Sequence, residues 1–326
     1  MKFGLIFNPN AGDIERIDGV IRKLEEKLGG YEFVATTPIC RALHRRLPYL
    51  YCVKSRVMNT WEDSVNAGYI LSQIEDIEAV IVIGGDGTLS DVVAGQRRSG
   101  KLVPIIGIGI GTANAGPMIS LSLNECDLIS DEFTVKGMMG IDVFHLKDYI
   151  ATGFNDVVFS DCIVSTLGGK AVTVDARKFL EGHRIESTPE DIGTDTTCVS
   201  LNSRYFATGK DMKISQIIAS PIHDVDKFKY MAVTGLMCWM PYSVYRGVLT
   251  VTDKPVVKLT RSDERTTLTM KQCILGDKDV IEIRNTKGYV VVDGNPRIDM
   301  SVDGAVYLNL NRRAALSARF NVAGVR

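Results

Sequence analysis

Apolar residues follow two different rhythms along the chain, and the change comes near residue 133. Residues 2–7 form a short, almost continuous apolar run, which predicts a buried strand. Ile14, Ile17, Val20, Ile21, Leu24 and Leu28 then recur at three- and four-residue intervals, the spacing of one helix face, and Gly29 and Gly30 stand where that helix should stop. Thr60 and Asp63 have capping-box spacing and open a second helical pattern that runs to about Gln73. Residues 79–83 are apolar throughout, as in a strand buried on both faces. Thr88 and Asp91 repeat the cap spacing, so a helix is expected directly after the GGDGT segment, and residues 103–108 read as the next strand. Strands alternating with helices predict βαβ units and a parallel, Rossmann-like sheet.

Beyond residue 133 the helical period fades and short alternating segments replace it, at 279–284, 289–292, 297–300 and 306–310. Asp293-Gly294 and Asp303-Gly304 punctuate them as turns, so the second half reads as a mainly antiparallel β domain. A chain of 326 residues suits two domains at about 150 residues each. The expected division is an α/β domain over 1–132 and a β-rich domain over 133–326, closely packed with a cleft between them.

Composition narrows the function classes. With 45% hydrophobic and 24% charged residues the chain is an ordinary globular one, and a formal charge of −1 gives no basic field for nucleic acid or an anionic membrane. Residues 102–124 carry no charge, but Pro104, Gly107, Gly109, Gly111, Gly116 and Pro117 would break a spanning helix, so a buried strand and glycine-rich loop are expected there. The apolar run behind Met1 is too short for a signal peptide. Seven scattered cysteines without a CxxC pair predict reduced thiols and a cytoplasmic location. The four histidines stand too far apart for ligand spacing.

The strongest chemical signal is Gly84-Gly85-Asp86-Gly87-Thr88, between a buried strand and a helix start. Glycines give positive-φ freedom and bare backbone N–H groups, and a helix N-terminus adds partial positive charge, so the turn suits phosphate. A carboxylate at that place makes sense where a metal ion intervenes or where Asp86 takes a proton from an attacking hydroxyl. Two further turns follow strands and should reach the same carboxyl edge: Asn8-Pro9-Asn10-Ala11-Gly12 and residues 109–116, with Gly111, Thr112 and Asn114. The Walker pattern is absent, since Gly169-Lys170 is followed by Ala171, and Thr112 spoils a GxGxxG fingerprint. The basic cluster Arg41, His44, Arg45, Arg46, Lys54 and Arg56 reads as a solvated face, and Trp239 as a core residue.

NPNAG, GGDGT and GTAN in this order resemble the superfamily that unites NAD kinases with diacylglycerol and sphingosine kinases. Phe154-Asn155-Asp156-Val157-Val158 looks like the Asn-Glu/Asp motif of NAD kinases, and residues 290–298, VVVDGNPRI, resemble their late Val-Asp-Gly turn. Residues 60–64 and the run GGDGTLSD look like the ATP-NAD kinase-like branch that includes acetoin-catabolism-associated proteins. The segment after Asp156 lacks the Thr-Pro-Thr-Gly-Ser-Thr-Ala-Tyr stretch of ordinary NAD kinases, and GTAN is nearer the lipid kinases.

The resemblance implies an α/β domain followed by a β-rich one, with ATP and substrate meeting between them. It would make Asp86 the acid/base residue, and Asn8, Gly84, Gly85, Gly87, Thr88, Gly111, Thr112 and Asn114 the nucleotide and phosphate contacts. Asn155 and Asp156 would bind the substrate's nucleoside. The implied activity is phosphoryl transfer from ATP with Mg²⁺, or from polyphosphate, to a hydroxyl of a small molecule. The 2′-hydroxyl of NAD leads, giving NADP, and a lipid or polyol acceptor is the alternative. No metal ligands are assigned. A homo-oligomer, dimer or tetramer, is expected, with neither nucleic acid nor membrane as partner. A nucleotide-binding sensor without turnover is the reading from another class, and Asp86 argues against it.

Overall fold

The computed structural model describes residues 1–8, 14–43, 47–110, 116–167, 170–223, 246–259, 267–302 and 304–321. The chain divides into two compact units, Met1–Met138 with Arg313–Arg326, and Met139–Arg312.

The first unit is a parallel α/β layer. Its strands are β1 (Lys2–Phe7), β2 (Glu32–Thr36), β3 (Leu50–Val53), β4 (Ile77–Gly84), β5 (Ile105–Gly109) and β6 (Ile119–Ser122). Its helices are α1 (Ile14–Leu28), α2 (Thr37–Ala42), α3 (Glu62–Gln73) and α4 (Asp86–Ser99). The strands lie side by side in the order β3-β2-β1-β4-β5-β6, every pair parallel. β2 and β3 extend the sheet on one side of β1, and the chain then returns to place β4 on the other. The switch point of the sheet therefore lies between β1 and β4, where open α/β sheets bind ligands at their carboxyl ends. Phe7 pairs with Ile83 and Gly84 with Gly109, so the ends of β1, β4 and β5 are level. The uncharged run 102–124 forms the fully buried β5 and the following β6.

Helix α4 begins at Asp86, inside GGDGT rather than after it. Thr88 and Asp91 are buried residues within the helix, because extended Gly85 is the N-cap and its carbonyl accepts from the Thr88 and Leu89 amides at 3.0 and 3.2 Å. At α3, Asp63 reaches past Thr60 and accepts from the amides of Met58 and Asn59, at 2.9 and 2.8 Å.

The second unit is antiparallel β. In chain order it holds β7 (Phe133–His145), which begins in the first unit, then β8 (Asp148–Gly153), β9 (Val157–Ser160), β10 (Cys162–Leu167) and β11 (Lys170–Asp175). The short helix α5 (Ala176–Leu180) precedes β12 (Cys198–Leu201), β13 (Arg204–Thr208), β14 (Gln216–Ile222), β15 (Arg246–Thr252) and β16 (Met270–Leu275). β17 (Val280–Arg284), β18 (Tyr289–Val292), β19 (Asn295–Asp299) and β20 (Val306–Phe320) complete it. One sheet has the order β16-β15-β14-β9-β18-β19, a ladder runs β13-β12-β17-β20, and β7 pairs with β8. Phe159, Ile217, Leu249 and Val290 from the first sheet share a core with Ile141, Val199, Ile281 and Leu308 from the other strands.

Two features differ from the sequence expectation. The division falls at Met138/Met139 rather than 132/133, and Arg313–Arg326 returns to the first unit, where Ser317 pairs with Ile105 and Ser120 Oγ donates to the Ala318 carbonyl at 2.6 Å. Second, Cys40 and Cys52 form a disulfide, contrary to seven reduced thiols. Cys40 lies in α2 and Cys52 in edge strand β3, with their Cα atoms 6.2 Å apart, within bridging range. Cys126, Cys162, Cys198 and Cys273 are free, and Cys238 lies outside the described residues.

Candidate functional site

Two clusters of the singled-out residues emerge, one in each unit. In the first, β1 ends at Phe7 and Asn8 follows, its amide N–H on the Ile83 carbonyl at 3.2 Å and its Nδ2 donating to Thr88 Oγ1 at 3.4 Å. Asn8, Gly84 and Thr88 thus meet across the switch point. Gly84 lies against the Thr88 side chain, and a Cβ there would come to 2.8 Å from Thr88 Oγ1. Gly84 and Thr88 are buried, whereas Gly85, Asp86 and Gly87 are half-exposed at the tip.

The glycines act differently from the sequence expectation. None of Gly84, Gly85 and Gly87 has positive φ. Gly85 is extended, at φ −101° and ψ −176°, and a Cβ on it would meet nothing within 4 Å. Any requirement for glycine at position 85 therefore lies in what approaches from outside. Since the Thr88 amide is occupied by the Gly85 carbonyl, the amides a phosphate could use lie ahead of it, at Gly85 and Gly87.

Asp86, the first residue of α4, is tied across the edge: its Oδ1 accepts from the Gly116 amide at 2.9 Å. The loop after β5 thus holds the carboxylate. A Cβ on Gly116 would overlap Asp86 Oδ1 and lie 3.0 Å from its Cγ, so only glycine fits there beside this side-chain position. Arg16 of α1 adds a cation near this edge, its Nη1 3.5 Å from the Ile110 carbonyl. Gly111, Thr112 and Asn114, like residues 9–13, lie outside the described residues.

In the second unit, Asn155 and Asp156 sit in a turn ahead of β9, and both are half-buried. The turn is wrapped around Asp293. Phe154 N–H donates to both carboxylate oxygens at 3.1 and 2.9 Å, and the Asn155 and Asp156 amides donate to Oδ1 at 2.8 and 3.1 Å. The Asp293 amide returns a bond to the Asp156 carbonyl at 3.1 Å. Asp293 and Gly294, with φ of 47° and 82°, are the two central residues of the β18–β19 hairpin, as a type I′ turn requires. From the other side His223, buried at the end of β14, donates Nε2–H to the Phe154 carbonyl at 2.9 Å. Burial lowers its pKa to about 4, against a smaller opposing effect of the Phe154 bond, so the ring is neutral at pH 7. The Asn155 side-chain amide has no hydrogen-bond partner among the described residues.

Sequence reasoning missed Gly116, Asp293 and His223. The Asp-Gly pair signalled a hairpin but not the three amides its carboxylate collects. Gly116 was one glycine of a loop, and a lone histidine beside an apolar strand carries no signal at all. Of the basic cluster, Arg41, Lys54 and Arg56 are exposed, as on a solvated face; residues 44–46 and Trp239 lie outside the described residues.

The ATP-NAD kinase N-terminal domain model matches residues 3–124, the span that holds Asn8, GGDGT and Gly116. An uncharacterized protein of Archaeoglobus fulgidus is 34% identical over 194 residues, 58% of either chain. An NAD kinase of Lachnospira eligens is 27% identical over 136 residues, 39% of this chain and 44% of that one. In sequence the likeness is to NAD kinases, and the family model lies within the first 124 residues. These matches span only about half the length of either relative. In three dimensions a putative diacylglycerol kinase from Bacillus anthracis aligns over 99% of this chain and 98% of its own, with a TM-score of 0.56 and 15% identity, a likeness of fold. The α/β unit with its parallel sheet and the antiparallel β unit match the fold of that solved structure.

Proposed function

We propose that the protein is a kinase that transfers the terminal phosphoryl group of ATP to a hydroxyl of a small molecule, with NAD the leading acceptor and NADP its product. The observation that carries this reading is Asp86, held by the Gly116 amide at the start of α4, at the carboxyl edge of the sheet and beside its switch point. A kinase needs hydrogen-bond donors for phosphate and a proton acceptor near one another, and this edge would supply both. The Gly85 and Gly87 amides and the helix N-terminus would bind phosphate oxygens. Asp86 would accept the proton of the acceptor hydroxyl as its oxygen bonds to phosphorus and ADP departs.

Among the described residues no group of three or more His, Cys, Asp or Glu could hold a metal ion. Mg²⁺ would arrive on the triphosphate, bound through substrate oxygens and one or two carboxylates rather than in a protein cage. Asp86 would be the carboxylate that meets it, and the ion would neutralise phosphate charge. In the second unit Asn155 and Asp156 would read the nucleoside of the acceptor. The NAD kinase match favours NAD, and the fold likeness to a putative diacylglycerol kinase keeps a lipid or polyol acceptor as the second reading. Among the described residues no helix is long and apolar enough to cross a membrane.

The test is ATP and Mg²⁺ with NAD, NADH, inositol, sugars, diacylglycerol and sphingosine, scored for ADP and phosphorylated product. Asp86→Asn should fold and bind ATP but lose ~10²–10⁴-fold in turnover, because an amide cannot take the proton. Wild-type rates in that variant would remove Asp86 from the chemistry.

A further inference from the structure

The Val-Asp-Gly turn has no part in the function so far, yet its carboxylate accepts from three consecutive backbone amides. Three consecutive amides, Phe154, Asn155 and Asp156, converge on the Asp293 carboxylate, and the intervening Phe154 carbonyl is bound by His223. Both side chains are buried, with 9% and 8% of their surface exposed. A turn needs no buried carboxylate to exist; three N–H groups on one carboxylate fix its path, and with it the direction of the Asn155 and Asp156 side chains.

We infer that Asp293, together with His223, is a positioning residue that sets the acceptor-reading turn 154–156 and thereby acceptor affinity, acting through Asn155 and Asp156 rather than by touching the reacting atoms. The inference rests on the proposed kinase reading. The acceptor it concerns is a nucleoside-bearing one, whose ribose hydroxyl or base edge an amide and a carboxylate can read. Asp293 belongs to a two-residue hairpin, where its φ of 47° is one that asparagine also adopts, so Asp293→Asn keeps the β18–β19 turn. It nevertheless replaces Oδ2, an acceptor 2.9 Å from the Phe154 amide, with an NH₂ group, or swaps the roles at Oδ1. Either way a donor faces a donor.

The experiment compares wild type, Asp293→Asn and His223→Gln, which keeps an N–H donor. It reads steady-state KM for NAD and for ATP, NAD affinity by calorimetry, and hydrogen exchange of the 154–156 amides. The expected result for Asp293→Asn is a KM and Kd for NAD raised about ten- to a hundredfold, KM for ATP within about twofold, and faster exchange at 154–156. His223→Gln should raise KM and Kd for NAD in the same direction but less, since a donor to the Phe154 carbonyl is kept, and unchanged values would remove His223 from the role. If exchange accelerates while NAD affinity is unchanged, or if both KM values rise alike with a lower Tm, the positioning role is overturned and Asp293 is structural. If the wild type binds NAD without forming NADP, the kinase reading fails while the Kd comparison still decides this inference. If it does not bind NAD at all, the inference falls.

Discussion

A single missing methyl group decides where the Asp86 carboxylate points. Gly116 donates its amide to Oδ1, and any Cβ there would overlap the same oxygen. Gly116→Ala should therefore swing the carboxylate away while leaving the Gly85 and Gly87 amides in place. A displacement of about 1 Å of a reacting group can cost ~10²-fold, so turnover should fall by about that factor with ATP affinity changed less than about twofold. Steady-state kinetics beside ATP calorimetry check it, and an unaltered kcat would mean that the Gly116 bond does not orient the working side chain. At this scale the sequence was legible in residue type but not in reason. GGDGT announced an anion turn, but Gly85 has neither strain nor crowding, while Gly84 is a glycine because Thr88 packs on it. Those causes involve side chains brought together by folding, which residue spacing does not record.

The elements that the sequence pattern marked well are those whose burial is regular. α1, with one apolar face, spans Ile14–Leu28, and β4, buried on both faces, contains the whole apolar run 79–83. Cap spacing misled at α4 because that helix is buried on most sides, so Thr88 and Asp91 are interior polar residues and not a cap. β20 runs to Phe320 although only 306–310 alternates clearly, since Arg312 and Arg313 are exposed in the middle of the strand. Why α4 can be so buried is visible where it crosses α3: Gly95 faces the Val65 carbonyl and the Tyr69 amide, and Gly68 faces the Val92 carbonyl. The two helices touch backbone to backbone. Glycine to alanine inside a helix ordinarily gains about 1 kcal/mol, but forcing a methyl group into a packed contact costs about 1–3 kcal/mol. Gly95→Ala should thus be destabilising, whereas Gly19→Ala in α1, where a Cβ meets nothing within 4 Å, should be stabilising by up to about 1 kcal/mol. Denaturant midpoints for the pair give the two signs directly, and a stabilised Gly95→Ala would show that the helices can separate at no cost.

For the whole molecule, the change of rhythm near residue 133 foretold an α/β unit followed by antiparallel β, because strand period and helix period report which faces are buried. It could not foretell that the last strand returns to the first unit, nor that Cys40 and Cys52 meet, since both depend on distant segments coming together. Global stability carries a further consequence of such a meeting, and His223 exposes it. Its folded-state pKa is about 4 against 6.5 for an unburied ring, with burial the larger cause. Above pH 6.5 the ring is neutral in both states, and it contributes no pH dependence. Between 6.5 and about 4 the unfolded chain takes up a proton that the folded one refuses, so stability falls with pH by about 1.4 kcal/mol per unit, about 3 kcal/mol in all. Below about 4 both states are protonated and the loss is complete. Glu125, Glu282 and Asp299, whose folded pKa values are lowered, act later in acid, since their contribution is present above the unfolded carboxylate range and is lost only as pH falls through it. The alkaline limb belongs to Cys162 and Cys273, whose thiols burial pushes up to about 12 and about 11, so stability should decline above about pH 9 as the unfolded thiols ionise. His223→Gln, which titrates nowhere in this range and keeps an N–H for the Phe154 carbonyl, isolates the histidine. Unfolding free energies measured from pH 7.5 to 4 should fall more steeply for the wild type than for the variant between 6.5 and 4, with parallel curves above 7; parallel curves throughout would mean that the imidazole is not held neutral in the fold.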